Sequence, residues 1–355
     1  MEKPDAGMPM DGGHGENILL IRLKSLGDIL FVLPALNLMR DNFPHARITF
    51  LVSSEYVPLL RGFAAIDSVI PIDRAIYRRK KIRAIWSTTL ELVRRLRREK
   101  FTLVVDFQGY GETAWLTWLT GARRRWGYVY RPGSAWAYTR GVKFPEKLHP
   151  VHRNLSLPTR CGVSPKPIRN EFLLTEAELR PARSFFQEHG LDPARPTLFI
   201  QPFTSTLEKN WPLEKFLSLA GHWRQREAQV IFGGGPMERE SLRPAREAGF
   251  PVAAGAPLLA MAGLMKLCTL VIGGDTGLIH LAVAMGKRVY MLALKHTDDS
   301  SFPYGHPEWV VEASTDAGVA DIEVSRVVEA SEAVLREHLT GARAFAMSGC
   351  PGAML

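Results

Sequence analysis

Absences set the first bounds on this chain. Cysteine is scarce: Cys161, Cys268 and Cys350 are the only three in 355 residues. They follow no metal-ligand or redox spacing, which fits a reducing compartment. No apolar run is long enough to span a bilayer, because Arg22, Lys24 and Asp28 break Ile18–Met39, and Pro257, Gly263 and Lys266 break Ala256–Val271. Residues Met1–Glu16 are polar and glycine-rich without an apolar core, so no signal peptide is expected and the protein is expected in the cytoplasm. Neither Gly-x-Gly-x-x-Gly after a predicted strand nor Gly-x-x-x-x-Gly-Lys-Ser/Thr occurs, which disfavours hydride transfer and P-loop ATP hydrolysis. His149 and His152 have no further ligand candidates nearby and read as a polar connector.

What remains is a globular composition, 46% hydrophobic and 23% charged, in a chain longer than one core usually grows, so two domains are expected. The net charge of +9 is unevenly placed. Residues 1–175 hold 28 Lys+Arg against 15 Asp+Glu, a balance of +13, leaving 17 against 21, or −4, for the rest. An acidic partner would meet the N-terminal half first.

Short apolar segments alternate with longer amphipathic ones. Strands are expected at Ile18–Leu23, Ile48–Val52, Ser68–Ile72 and Leu103–Phe107, with helices at Ile29–Arg40, near Tyr56–Arg61 and through a basic stretch to Lys100. The pattern restarts with strands Leu198–Gln201, Val230–Phe232, Leu270–Ile272 and Val289–Leu292, separated by helices from Leu213, near Met237–Glu247 and from Leu278; Ile322–Leu339 is a last helix. Such alternation predicts two doubly wound α/β domains with parallel sheets. We place them at 17–165 and 182–340, with a proline-marked linker at 166–181 and a loose tail at 341–355. Two such domains in tandem are expected to face one another across a ligand-binding cleft.

Four strand exits carry candidate chemistry. At Leu270-Val271-Ile272-Gly273-Gly274-Asp275-Thr276-Gly277-Leu278-Ile279-His280 an apolar strand stops at two glycines and an acidic-hydroxyl-glycine step opens a helix. Unpaired N–H groups and the macrodipole make such a helix start suitable for phosphate, although Asp275 and Thr276 are equally good helix caps. His280 lies one turn on from Thr276, on the same face. The loop Gln201–Pro212 offers the hydroxyls of Thr204 and Ser205 and the point charge of Lys209 to a leaving diphosphate, or is a solvated turn. At Gly233-Gly234-Gly235-Pro236-Met237-Glu238 glycines permit close backbone approach, and Glu238 either accepts bonds from a ribose or caps a helix. Finally, Ser25-Leu26-Gly27-Asp28 puts one carboxylate at the rim of the first sheet, as a helix cap or as a base for an attacking hydroxyl.

Together these blocks resemble the lipopolysaccharide heptosyltransferase family, glycosyltransferase family 9, from about Ile18 to about Ala293. Ser25–Asp28 and Asp275–His280 are the most specific matches, and Asp106-Phe107-Gln108-Gly109 is similar to the family's Asp-x-Gln-Gly strand exit. The resemblance implies GT-B architecture and inverting transfer from a nucleotide-activated heptose to an acidic sugar acceptor on lipid A. It implies Asp28 as general base; Thr204, Ser205 and Lys209 as phosphate contacts; Glu238 as ribose contact; and Asp275, Thr276, Gly277 and His280 as the donor-diphosphate block. It implies no cofactor and no metal, with an ADP-sugar or related nucleotide sugar as substrate. The sequence departs from the family after Val289, where Leu294-Lys295-His296-Thr297-Asp298-Asp299 replaces a Phe-Gly-Pro-Thr-like loop.

The acceptor side is expected on the basic stretch, at Arg78, Arg79, Lys80, Lys81 and Arg83, joined by Arg123, Arg124 and Gln108. A basic amphipathic helix carrying Trp86 suits an anionic membrane surface, so peripheral contact with the cytoplasmic face of the inner membrane is expected. Helix-turn-helix, RRM and zinc signatures are missing, and no nucleic acid partner is expected. A nucleotide-sugar epimerase or hydrolase on the same scaffold, and a non-catalytic nucleotide-sugar-binding assembly protein, are the competing readings.

Overall fold

Strand β1 (Asn17–Ile21) is an apolar run buried on both faces, and its neighbours explain why: it pairs in parallel with β2 (Arg47–Ser53) on one side and β4 (Leu103–Asp106) on the other. A computed structural model describes residues 15–75, 82–295, 301–314 and 318–347. With β3 (Ser68–Ile72), β5 (Arg124–Val129) and β6 (Arg140–Lys143), these strands form a six-stranded parallel sheet in the order β3-β2-β1-β4-β5-β6. Helices α1 (Leu26–Leu30), α2 (Leu33–Asn42), α3 (Ile82–Arg98) and α4 (Gly111–Leu119) lie in the connections between strands and α5 (Pro150–Arg160) follows β6, while Ser54–Gly62 is the short helical segment expected near Tyr56, in 3-10 form.

A second all-parallel sheet contains β7 (Thr197–Gln201), β8 (Gln229–Gly234), β9 (Val252–Ala254), β10 (Leu270–Gly274), β11 (Arg288–Ala293) and β12 (Val310–Glu312). Its order is β12-β11-β10-β7-β8-β9. Its helices are α6 (Glu176–Glu188), α7 (Leu213–Arg224), α8 (Arg243–Glu247), α9 (Leu258–Leu267), α10 (Gly277–Ala284) and α11 (Val324–Met347). Phe216, Leu219, Ala220 and Trp223 recur at helical spacing along α7 and are fully buried against the sheet and against Val327 and Leu335 of α11. The buried indole N–H of Trp223 finds the Ser331 hydroxyl at 3.2 Å, and that of Trp211 finds the Ile322 carbonyl at 2.8 Å. Both sheets are doubly wound.

The chain divides into the units Met1–Phe172 and Leu173–Leu355. The expected linker therefore needs correction, because little of 166–181 is free chain. Asn37 donates to the Arg169 carbonyl at 3.0 Å, Arg169 pairs with Asp41, and Phe172 packs edge-on against Phe63, which straps the first half onto α2. The second half starts α6, whose Thr175 and Glu178 form a capping box: Glu178 Oε2 accepts from the Thr175 N–H at 2.8 Å. The tail also differs from expectation, for α11 continues to Met347 through the helix-favouring alanines 342, 344 and 346; residues 348–355 lie outside the described residues. Among the described residues, no helix is long and apolar enough to cross a membrane, and no group of three His, Cys, Asp or Glu could hold a metal ion.

Each strand order reverses once, between β1 and β4 in the first sheet and between β10 and β7 in the second. Open α/β sheets bind ligands outside the carboxyl ends of the strands at such switch points. The loops leaving those four strands carry Asp28, Gln108, Thr204–Lys209 and Asp275–His280.

Candidate functional site

In the first unit the loop after β1 is held by a dense set of bonds. Asp28 is the third residue of α1 and closes a capping box: its Oδ2 accepts from the Ser25 N–H and hydroxyl, both at 3.1 Å. The same oxygen pairs with Arg22 Nη2 at 2.9 Å. Capping and exposure thus coexist, since the Asp28 side chain stays 43% exposed and its Oδ1 accepts no bond from a described residue. Arg22 also donates from Nη1 to the Phe107 carbonyl at 2.8 Å and from Nε to the Lys24 carbonyl at 3.0 Å, so one guanidinium ties the β1 exit to the β4 exit. Nothing in the sequence singled out Arg22; its only signal is its place at the strand end.

Gln108, expected to touch the acceptor, is buried and does another job. Its Oε1 accepts from the Leu23 N–H at 2.8 Å, a second brace between the two exits. Beneath it, the fully buried Asp106 accepts from the N–H groups of Gln108 and Gly109 at 2.9 and 3.0 Å and from the Tyr138 hydroxyl at 2.8 Å. Burial pushes the Asp106 carboxyl above its ordinary value, opposed by those bonds and one with Thr113. At the rim, burial raises the Tyr130 phenol to about 12 while Arg22 pulls it down, so Tyr130 keeps its proton at neutral pH beside Asp28.

The remaining acceptor expectations divide. Arg78, Arg79, Lys80 and Lys81 lie outside the described residues, and Arg83 lies in the first turn of α3. Arg124 requires correction. It opens β5 opposite Leu103 and pairs with Glu16, whereas Asp106 and Gly127 close the same ladder. Parallel strands therefore put Arg124, and the exposed Arg123 before it, at the rim opposite Asp28.

In the second unit the β7 and β10 exits interlock. A Cβ on Gly274 would lie 2.4 Å from Thr204 Cγ2 and 3.1 Å from the Lys209 carbonyl, and one on Gly273 would lie 2.6 Å from the Gln201 carbonyl. The paired glycines are thus demanded by close approach of the 201–210 loop. That loop is folded by its own groups: Asn210 accepts from the Thr204 N–H at 2.7 Å, and the Thr204 hydroxyl donates to the Thr206 carbonyl at 2.7 Å, leaving Ser205 exposed. Lys209 then reaches across to Asp275, with Nζ 2.8 Å from Oδ2. His280 Nε2 lies 3.3 Å from Asp275 Oδ1, and Ser301, which sequence reasoning missed, donates to the same oxygen at 3.2 Å. Burial raises the Asp275 carboxyl, yet the bonds and charges of His280 and Lys209 outweigh it and hold the group down at about 2.

Asp275 is therefore an ionised organiser and not a helix cap. Thr276 occupies the N-cap of α10, but its hydroxyl makes no capping bond, and its Oγ1 is buried without a partner among the described residues. Gly277 follows as the first helical residue, so the N-terminal N–H groups of α10 open beside an unused hydroxyl and the Lys209 ammonium. That combination suits an anion. Glu238 fulfils its capping alternative with one oxygen: Oε2 accepts from the Gly235 N–H at 2.7 Å, and a Cβ on Gly234 would lie 3.1 Å from it. The departing segment 294–299 lies mostly outside the described residues.

The model of glycosyltransferase family 9 (heptosyltransferase) matches residues 89–316. Lipopolysaccharide heptosyltransferase 1 of Pseudomonas aeruginosa is 27% identical over 281 residues, covering 76% of both chains. A crystal structure of a family 9 glycosyl transferase from Veillonella parvula superposes with a TM-score of 0.83 at 22% identity, covering 91% of this chain and 98% of that one. Escherichia coli heptosyltransferase WaaC with ADP gives 0.72 at 21% identity, covering 89% and 99%.

Proposed function

Because the chain belongs to glycosyltransferase family 9, we propose that it moves a heptose or related sugar from a nucleotide-diphosphate donor to an acidic, lipid-linked acceptor of the lipopolysaccharide inner core, with inversion and without a metal. The observation that carries this reading is the β7/β10 exit, where Lys209, the Thr276 hydroxyl, which has no partner among the described residues, and the N-terminus of α10 meet over an ionised Asp275.

Inverting transfer needs three things: a hydroxyl made nucleophilic, an anomeric carbon attacked opposite its leaving group, and a place for the charge that leaves. The open Oδ1 of Asp28 takes the acceptor proton as the hydroxyl oxygen bonds to the anomeric carbon, and the Arg22 and Ser25 contacts on Oδ2 fix the carboxylate's direction. The glycosidic bond to the diphosphate breaks, and its electron pair stays on the departing nucleoside diphosphate. Lys209 and the α10 N–H groups offset that charge, the former as a point charge and the latter as fixed dipoles. Asp275 holds Lys209 and His280 in place and needs no direct contact with the donor. The enzyme works on the cytoplasmic face of the inner membrane, where a lipid-linked acceptor is presented.

Nucleotide sugars are screened by thermal shift, and the stabilising one is incubated with truncated lipopolysaccharide cores. Acceptor-dependent release of nucleoside diphosphate, with a glycosylated core of opposite anomeric configuration, is expected. Nucleotide release or sugar isomerisation without acceptor supports the hydrolase or epimerase reading instead.

A further inference from the structure

Trp115 and Trp118 on α4 and Trp136 on the turn Pro132–Ala137 touch one another on the surface of the first unit. Their ring centroids lie 4.6, 5.8 and 5.9 Å apart, all edge-on, yet the residues are 55%, 44% and 45% exposed. Indoles packed this way form a preshaped apolar surface, and such patches on soluble domains mark interaction sites. The patch is supported from below, because Ala114, Ala137 and Tyr138 pack together and Tyr138 is anchored on the buried Asp106. Helix α3 packs beside α4.

Positive charge borders the indoles. Arg97 of α3 donates to the carbonyl of Leu119, the residue after Trp118, and Arg131 immediately precedes the turn that bears Trp136. Both arginines are exposed, and neither is in an ion pair with a described carboxylate. A tryptophan surface rimmed by exposed guanidinium groups matches the headgroup zone of an anionic bilayer, where indoles rest with their N–H toward water and arginines meet phosphates. Self-association fits less well, since a two-fold contact would lay each copy's arginine rim against the other's.

We propose that Trp115, Trp118 and Trp136, with Arg97 and Arg131, form the surface on which this protein docks to an anionic phospholipid bilayer. This deepens the membrane-facing part of the function proposed above. Its test uses neither donor, acceptor nor turnover, so its failure and that of the transfer reading are distinguishable.

The full chain is sedimented with phosphatidylcholine vesicles with and without phosphatidylglycerol, and tryptophan emission is followed with brominated acyl chains. Co-sedimentation should require phosphatidylglycerol, emission should move to shorter wavelength, and brominated lipid should quench it. Trp118→Gln/Trp136→Gln should lower the partition coefficient by roughly tenfold and remove most of the quenching, with an unchanged far-ultraviolet spectrum. Arg97→Gln/Arg131→Gln should weaken binding at low salt and little at high salt. The proposal is overturned by absent binding to phosphatidylglycerol vesicles, by wild-type emission that brominated lipid leaves unquenched, by quenching that persists in the double tryptophan variant, or by a dimer that this variant dissolves in place of vesicle binding.

Discussion

Lys209 and Asp275 stand 66 residues apart in sequence and 2.8 Å apart in space, and their bond crosses the point at which the second sheet reverses its strand order. The ammonium is 46% exposed and the carboxylate 22%. One partner therefore faces outward, available to an anion, while the other is sunk into the fold and keeps it there.

Removal of that ammonium separates binding from stability. Lys209→Ala should lower kcat/KM by roughly 100-fold through lost stabilisation of the leaving diphosphate and weaken donor binding in calorimetric titration. The melting temperature should hardly move, because a half-exposed ion pair contributes about 1 kcal/mol or less. Unchanged kinetics would remove Lys209 from the donor site.

Asp275 governs the acid limb of stability. Its folded value, about 2, lies below its ordinary 3.8, so the unfolded chain binds the proton more readily. The resulting stabilisation, about 2 kcal/mol, is complete above the ordinary carboxylate range and is lost as pH falls through the folded value. Asp275→Asn should flatten the urea-unfolding free energy against pH over this acid window. An acid limb as steep as wild type would contradict the ion-pair geometry.

Asp28→Asn preserves an oxygen able to accept the cap bonds but cannot take a proton at neutral pH. Turnover should fall by roughly 100- to 10,000-fold, with the donor dissociation constant and the melting temperature close to wild type. Retained turnover would leave Asp28 as a cap alone.

The glycine pair offers a purely steric test. Gly274→Ala places a methyl 2.4 Å from Thr204 Cγ2 and should cost about 1–3 kcal/mol, and it should weaken donor binding by displacing the 201–210 loop. Gly221→Ala, in α7 with open space around its Cβ, should instead stabilise by up to about 1 kcal/mol. Chemical denaturation of both variants reads the difference.

The central strands were legible because burial on both faces leaves apolar runs such as Ile18-Leu19-Leu20-Ile21 and Leu270-Val271-Ile272. Among the edge strands, β3 was legible at Ser68–Ile72 and the other three were not. Strand β6 reads Arg-Gly-Val-Lys, and β9 and β12 have three residues each, because an edge has one open side and no need of such a run. Strand β5 also escaped notice, its start masked by Arg124 and Arg125. The loops at the switch points were legible through their glycines and hydroxyls, but the partners of those residues were not. Arg22 reaches the Phe107 carbonyl and Ser301 reaches Asp275 across stretches that no local pattern encodes, Asn210 folds its own loop back onto Thr204, and Arg124 misled because its charge was visible while its end of the strand was not.

The tight fit at Gly273 and Gly274 also determines where this protein can change. Any side chain added there must displace the Gln201 carbonyl or Thr204, so the framework that we propose holds the diphosphate tolerates almost no variation. Other exits of the same sheet are permissive, with Leu207 85%, Met237 93% and Leu294 51% exposed. Directed evolution of the proposed transfer toward a different base or sugar is expected to find its productive mutations at those open positions, on a glycine-bound framework that stays constant.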